Sequence, residues 1–300
     1  MKQFNKFLCC LCLSSLALNA SAEINIEHRQ GSQYLSDTPK RVITYDLASL
    51  DTLDALGLDV IGLPKGFAHG HLEKYSSDKY INVGSLFEPD YEVVAAQQPD
   101  LIIVANRSSR AFKDLLDLSP TIDLSIYGPN YLKQTKESSS IIAKIFGKEK
   151  ALNTKLALID EKVNRVRTLA ETSGNALFIL TNGGKISTYG SGSRFGWFYD
   201  ELGITPAIKD VKKATHGDPI SFEFILDINP DWIFVLDRDA AIGKRQGAAK
   251  ALLDNELINK SNAAKEKQII YLNAFNWYIL AGGITAVENS VQEVLSALEK

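Results

Sequence analysis

The chain has 300 residues, of which 45% are hydrophobic and 23% are charged, and its formal net charge at pH 7 is −3. This is the composition of an ordinary globular protein, and the length suffices for two lobes with separate cores. The slight excess of acidic groups argues against nucleic acid as a partner.

The first 22 residues have the features of a cleavable export signal. Lys2 and Lys6 precede an apolar run over 7–18, and residues 20–22 form the A-x-A pattern of a cleavage site. The run of 12 residues is shorter than the roughly 20 that span a bilayer. The sequence therefore predicts an exported protein that is cleaved after Ala22.

All three cysteines, Cys9, Cys10 and Cys12, lie inside this segment. The mature chain is therefore expected to contain no disulfide and no cysteine-ligated metal. A lipoprotein signal has a small residue directly before the modified cysteine, whereas Leu8, Cys9 and Leu11 occupy those positions. We expect a free, soluble protein.

In the first half of the mature chain, the pattern of apolar residues predicts a strand over 41–45, a helix over 47–56 and a strand over 60–63. The loop that follows carries His69 and His71, a spacing that suits zinc. Because no third ligand is near in sequence, a solvated loop is the favoured interpretation.

A segment of nine residues occurs twice, at 99–107 and at 230–238, with every landmark shifted by 131 positions. Each copy has a Pro-Asp turn, an apolar run that suits a strand buried on both faces, and a terminal arginine, Arg107 or Arg238. Glu92 and Glu223 stand seven residues before the two prolines, where short helices are predicted. Segments 44–57 and 188–203 also resemble each other. The chain therefore predicts two similar α/β lobes.

Between the two copies, apolar residues recur at every third or fourth position from Leu152 to Ala170 and predict one long helix over 148–172. Such a helix would be about 37 Å long. It could lie on the surface of one lobe, but its position between the repeats favours a connection. The predicted divisions are the signal peptide (1–22), the N-terminal lobe (23–147), the linker helix (148–172) and the C-terminal lobe (173–300).

Three motifs of the second lobe attract attention. The glycine-rich loop 190–196 departs from the spacing of a dinucleotide fingerprint but lets Arg194 approach a ligand. His216 lies in a polar turn and Tyr278 in an aromatic loop over 273–278. A surface histidine and a buried aromatic plug are the simpler interpretations of these two residues. Strands are predicted at 176–181, 185–189 and 268–272, with a final helix at 286–298. The sequence has no G-x-S-x-G or H-E-x-x-H motif of a hydrolase.

The order of motifs resembles the periplasmic iron-siderophore receptors of ABC importers, and within them the ferric-catecholate binders. The likeness includes R-V-I-x-Y, both P-D strands, S-R-F-G (193–196), T-H-G (215–217), D-R (237–238) and W-Y (277–278). The P-D strands are shared with cobalamin and haem binders, whereas the last four motifs are more specific. The resemblance implies two lobes, a rigid connecting helix, a ligand cleft between the lobes, and small movements on binding.

The resemblance also implies roles for individual residues. Arg107, Arg194 and Arg238 match the cleft arginines of the family, and His216 and Tyr278 match a pair that ligates ferric iron directly. Guanidinium groups suit a trianionic ferric tris-catecholate, since they are always charged and present planar donors. Open α/β sheets bind ligands at the carboxyl ends of their strands, where two of these arginines are expected.

The implied partner is the dimeric permease of an inner-membrane importer, whose arginines would receive Glu92 and Glu223. The expected protein is a monomer that binds a tetradentate or hexadentate ferric siderophore, has no cofactor of its own and is not an enzyme. Two alternatives stay open. One is a haem, cobalamin or free-metal receptor that uses His69, His71 and His216, and the other is an exported metallohydrolase.

Overall fold

A computed structural model describes residues 23–211 and 217–300. The predicted signal segment and His216 lie outside the described residues. Within those two ranges, no helix has both the length and the apolar character that crossing a membrane requires.

The first lobe is built on a parallel sheet of five strands. An antiparallel hairpin, β1 (Ile24–His28) and β2 (Gly31–Leu35), precedes it. The sheet has the order β5-β4-β3-β6-β7 and consists of β3 (Val42–Thr44), β4 (Gly62–Leu63), β5 (Ile81–Asn82), β6 (Leu101–Val104) and β7 (Thr121–Asp123). Its helices are α1 (Leu47–Ala55), α2 (Tyr91–Gln97), α3 (Phe112–Leu116) and α4 (Tyr131–Phe146). Short 3-10 turns occupy Lys65–Phe67, Gly70–Ser76 and Ser109–Ala111.

One helix of 22 residues, α5 (Glu149–Ala170), connects the lobes. The predicted bounds of 148–172 exceed it by one or two residues at each end. The second lobe is a sheet of six strands in the order β11-β9-β8-β12-β13, with β10 beside the beginning of β8. These strands are β8 (Asn175–Asn182), β9 (Lys185–Thr188), β10 (Thr205–Pro206), β11 (Asp218–Ile220), β12 (Trp232–Asp237) and β13 (Ile269–Tyr271).

The helices of the second lobe are mostly short. They are α6 (Trp197–Asp200), α7 (Phe222–Ile228), α8 (Arg238–Ala241), α9 (Ala248–Leu253), α10 (Glu256–Asn259), α11 (Asn262–Lys265) and α12 (Ile284–Leu298). The segment 273–278, predicted as a loop, contains a π-helix over Phe275–Ile279. That prediction was wrong, and π-helical turns are frequently found at functional sites.

The repeated Pro-Asp motif has the same structural role in both lobes. Asp100 accepts hydrogen bonds from the backbone of Lys40 (2.8 Å) and Arg41 (2.9 Å), directly before β3. Asp231 accepts one from the backbone of Asn175 (2.8 Å), at the beginning of β8. Each aspartate therefore fixes the start of the parallel neighbour of its own strand. Every residue of β6 and β12 is buried, as predicted for strands covered on both faces.

The second likeness, between segments 44–57 and 188–203, does not mark equivalent strands. β3 is parallel to β6, whereas β9 is antiparallel to β8. The reason is a two-residue turn at Gly183 and Gly184, both with positive φ, which returns the chain as a hairpin. The counterpart of β3 is β8, which runs parallel to β12.

The final helix α12 packs along α5 and also against α1 of the first lobe. Lys162 on α5 is paired with Glu288 on α12 at 2.7 Å, and Arg165 with Glu299 at 2.6 Å. The two sheets are therefore connected by two packed helices rather than by one. The exact domain boundaries predicted from the sequence stay a prediction.

Candidate ligand-binding site

A cleft of about 610 Å³ is lined by residues of both lobes. Its size lies within the range of small-molecule sites. The first lobe and the second lobe contribute charged and aromatic side chains, among them Arg107, Tyr127, Tyr131, Arg194, Trp197, Trp277 and Tyr278. The cleft therefore combines cationic groups with ring systems.

The arginines are placed by the ends of strands and by a closed loop. Arg107 follows β6, and Arg238 follows β12 as the first residue of α8. Arg194 belongs to the glycine-rich loop, in which a Cβ on Gly196 would lie 2.6 Å from the backbone nitrogen of Gly192. Only glycine permits this close approach, so the tight loop that presents Arg194 depends on it.

The three predicted arginines meet at one tyrosine. The carbonyl oxygen of Tyr278 accepts hydrogen bonds from Arg107 (3.0 Å) and Arg194 (3.3 Å), and its hydroxyl accepts one from Nε of Arg238 (3.1 Å). The guanidinium carbons of the three arginines lie 5.5, 4.3 and 5.8 Å from the centre of its ring, in the same order. Tyr278 therefore holds three like charges close together.

Within the part of the chain that the structure describes, this cluster of positive charge has no directly paired carboxylate, although the charge of Asp46 acts on Arg107 and favours its protonated form. In the described chain, no carboxylate forms a salt bridge with Arg107, Arg194 or Arg238. Burial and then the charge of Arg194 lower the pKa of Arg107, although a guanidinium remains protonated. Asp46, the one acidic residue among the described lining of the cleft, is engaged as the N-cap of α1. The arrangement favours an anionic ligand.

The arginines around Tyr278 favour the ionised form of its phenol. Burial alone would raise its pKa, but the hydrogen bond from Arg238 and the charge of Arg194 outweigh burial and lower the pKa below its ordinary value. Phenolate is a hard oxygen donor, and hard donors suit ferric iron. Tyr278 has the chemistry of an iron ligand as well as that of an arginine anchor.

The π-helix that carries Tyr278 is anchored by Glu293 of α12. The carboxylate of Glu293 accepts hydrogen bonds from Nε1 of Trp277 (3.0 Å) and from the backbone of Asn273 (2.9 Å). The ring of Trp277 stacks on Trp197 at 4.7 Å, and Trp197 stacks on Tyr131 of the first lobe at 4.8 Å. This row of rings crosses from one lobe to the other. Sequence reasoning missed Tyr131 and Trp197, since a single aromatic residue at the start of a helix carries no pattern.

Two carboxylates connect the lobes near the cleft. Asp51 of α1 accepts hydrogen bonds from the backbone of Thr285 (2.8 Å) and Ala286 (3.2 Å) at the beginning of α12. Glu201 of the second lobe accepts one from the backbone of Leu132 (3.0 Å) at the beginning of α4. A carboxylate at the beginning of a helix accepts hydrogen bonds from the backbone N–H groups of the first turn, and its negative charge interacts favourably with the helix dipole. Each of these two carboxylates joins one lobe to a helix that begins in the other.

The histidine loop takes part in the same connection. His71 pairs with Asp51, whose hydrogen bond raises the pKa of the histidine, and the ring of His69 lies 5.9 Å from that of Phe275 on the π-helix. Both histidines are exposed, as expected for a solvated loop. Among the residues with described positions, no three metal-ligating groups lie close enough to hold an ion.

Comparison with known proteins identifies the family. Residues 42–274 match the family described as periplasmic binding protein. The petrobactin-binding protein YclQ of Bacillus subtilis is 40% identical over 93% of this chain and 89% of its own length. The ferric-anguibactin-binding protein FatB of Vibrio anguillarum is 32% identical over 92% of this chain and 88% of its own.

Two solved structures agree with this assignment. The structure of YclQ has a TM-score of 0.89 at 39% identity and covers 93% of this chain and 100% of its own. The catecholate-siderophore binding protein VctP of Vibrio cholerae has a TM-score of 0.85 at 32% identity, covering 92% and 100%. These relatives are binding proteins rather than enzymes, and they confirm the predicted fold and the predicted resemblance. The chain belongs to the periplasmic binding protein family.

Proposed function

We propose that this protein captures a ferric catecholate siderophore in the cleft between its lobes and delivers it to an inner-membrane ABC importer. The observation that carries the proposal is the convergence of three arginines, without a carboxylate partner, on the phenol of Tyr278. The names of the relatives VctP, YclQ and FatB support the same class of ligand. The protein acts as a periplasmic monomer after cleavage behind Ala22 and needs no cofactor of its own.

The charge and shape of the cleft suit this ligand. A ferric tris-catecholate carries three negative charges. Arg107 and Arg194 line the cleft. Arg238 lies behind Tyr278, whose hydroxyl accepts its hydrogen bond, and supplies the third positive charge. Guanidinium forks donate to catecholate oxygens as charge-assisted hydrogen bonds. The aromatic rings of Trp197 and Trp277 add apolar surface for the catechol rings.

The alternatives have less support. A haem, cobalamin or free-metal receptor would use His69, His71 and His216 as ligands. In the structure His71 is engaged by Asp51, and His69 packs against Phe275. The relatives are named for siderophores or iron chelates, and none is named as a hydrolase.

A fluorescence titration tests the proposal. Trp197 and Trp277 line the cleft, so a ferric tris-catecholate should quench tryptophan emission in a saturable manner with one site per chain. The iron-free catecholate and haem serve as controls. Saturable quenching by haem, or zinc retained in stoichiometric amount after purification, would contradict the proposed ligand class.

We further propose that Tyr278 and His216 ligate iron when the siderophore leaves two positions open. A tetradentate bis-catecholate leaves two of six sites on ferric iron for protein donors, whereas a hexadentate ligand leaves none. Tyr278→Phe and His216→Ala should each weaken bis-catecholate binding by ~10-fold or more. The charge-transfer absorption of the complex should change as well.

Tris-catecholate binding should fall much less in both variants. Tyr278→Phe retains the carbonyl that holds Arg107 and Arg194 and loses only the hydroxyl contact of Arg238. Equal losses for both ligand classes, or an unchanged spectrum with the bis-catecholate, would show that these residues do not ligate iron.

We also propose that Glu92 and Glu223 dock on the permease dimer. Both are exposed and occupy the second position of α2 and α7, the equivalent helices of the two lobes. Each carboxylate also benefits from its helix dipole. The double variant Glu92→Ala, Glu223→Ala should stop siderophore uptake in cells while its affinity in solution is unchanged. Normal uptake by this variant would exclude the docking role.

A further inference from the structure

Exposed aromatic side chains surround the two glutamates. Among the described residues, the exposed large hydrophobic side chains include Phe87 (48%), Tyr91 (37%) and Phe224 (41%). Phe87 and Tyr91 lie within five residues of Glu92, and Phe224 follows Glu223 directly. Two exposed rings lie beside Glu92 and one lies beside Glu223, and exposed apolar groups next to both glutamates indicate a binding surface.

In the first lobe these rings are held in place. Arg110 donates a hydrogen bond to the carbonyl of Phe87 (2.7 Å), and its guanidinium carbon lies 5.8 Å from the centre of the Phe87 ring. The hydroxyl of Tyr91 donates to Asp114 at 3.3 Å. A ring that is already ordered loses less conformational entropy when a partner covers it.

The exposed rings of both lobes, Phe87 and Tyr91 in the first and Phe224 in the second, lie at the edge of the sheets that faces the cleft. In the first lobe, the residue before α2, Asp90, donates its backbone N–H to Val83, directly after the carboxyl end of β5. In the second lobe, α7 follows β11, whose last residue Ile220 is level with Ile186 of β9. Ile186 is in turn level with Thr181 of β8, next to the end of β12 and Arg238.

We propose that Phe87, Tyr91 and Phe224 are the apolar anchors of the surface on which the permease docks, with Phe87 and Tyr91 facing one half of a twofold-symmetric partner and Phe224 facing the other. This inference rests on the proposed transport function. Aromatic residues are enriched at the energetic centres of interfaces, and a carboxylate beside the exposed aromatic residues of each lobe fits a partner with a cationic group next to an apolar pocket. Since Phe87 and Tyr91 flank the cleft on one lobe and Phe224 flanks it on the other, the docked permease would cover the ligand.

Cross-linking in cells tests the surface without any siderophore. Phe87 and Phe224 are each replaced by p-benzoylphenylalanine, which preserves an aromatic side chain, and the products of ultraviolet irradiation are identified by mass spectrometry. We expect a multispanning permease subunit at both positions. Tyr34 on the β1–β2 hairpin (62% exposed) and Leu158 on α5 (47%) are the matched controls and should give no permease product.

A permease product at neither or only one of the two positions, or at the controls as well, would overturn the proposal. As a second measure, Phe87→Ser with Phe224→Ser should lower uptake of radioactive iron at least ~10-fold, the effect expected when interface anchors are truncated. Its affinity in the quenching titration should stay that of the wild type. Cross-linking needs no ligand, so failure of the ligand assignment would appear only in the titration.

Discussion

Replacing Arg107, Arg194 and Arg238 together by glutamine should weaken binding of a ferric tris-catecholate by at least ~1,000-fold. Loss of one partner of a close charge pair costs about 2–5 kcal/mol, so even partly additive losses of three exceed this factor. Glutamine keeps a polar side chain that can still bond to Tyr278, and the variant should therefore fold. The quenching titration measures the loss directly.

The single variants should rank by burial. Arg107 and Arg238 are both half-buried, and burial lowers the pKa of Arg107, whereas Arg194 is exposed. The bonds of Arg107 to a ligand therefore form in drier surroundings than those of Arg194. Arg107→Gln should therefore cost more affinity than Arg194→Gln. Arg165→Gln, which changes a surface pair with Glu299 on the linker helix, is the matched control and should bind normally. A triple variant with near-normal affinity would show that charge does not hold the ligand.

Two of these arginines, Arg107 and Arg238, could be predicted from the sequence repeat. An apolar run that ends in arginine, found twice at the same spacing, identifies the carboxyl end of a buried strand, and the structure places Arg107 and Arg238 there. What the pattern does not contain is their common contact. Tyr278 reaches all three arginines because a π-helix turns its carbonyl and its hydroxyl toward them, and such a turn has no hydrophobic period.

The contacts between the lobes could not be predicted from the sequence either, for a different reason. An aspartate between the leucines of helix α1 has the pattern of a solvated residue, but Asp51 is completely buried. Its partner Thr285 is 234 residues away in the chain. A helix pattern predicts which face is buried, whereas the identity of a distant acceptor depends on how the lobes are packed together. The antiparallel direction of β9 was not predicted either, because it is set by the two-glycine turn that precedes this strand.

Asp51→Ala should lower the free energy of unfolding by about 2–6 kcal/mol, because the buried carboxylate is the acceptor for two backbone N–H groups. The backbone N–H groups of Thr285 and Ala286 would lose their acceptor, and each unsatisfied buried group costs about 1–3 kcal/mol. Space there is tight, since a Cβ on Gly283 would lie 2.4 Å from Oδ2 of Asp51. Urea denaturation measures the loss. Asp51→Asn retains one acceptor oxygen and should fall between Asp51→Ala and the wild type.

The same variant should also weaken ligand binding, because α12 carries Glu293, which anchors the π-helix of Tyr278. Asp160→Ala on α5 removes a half-exposed surface pair with Lys136 and should cost less than about 1 kcal/mol. A pH series adds a second check. Since Asp51 raises the pKa of His71, the wild type should gain stability from this pair below the unfolded value near 6.5 and lose it as pH rises through the folded value. Asp51→Ala should lack that dependence. An alanine variant as stable as the wild type, with the same pH profile, would show that the lobes are held together without this carboxylate.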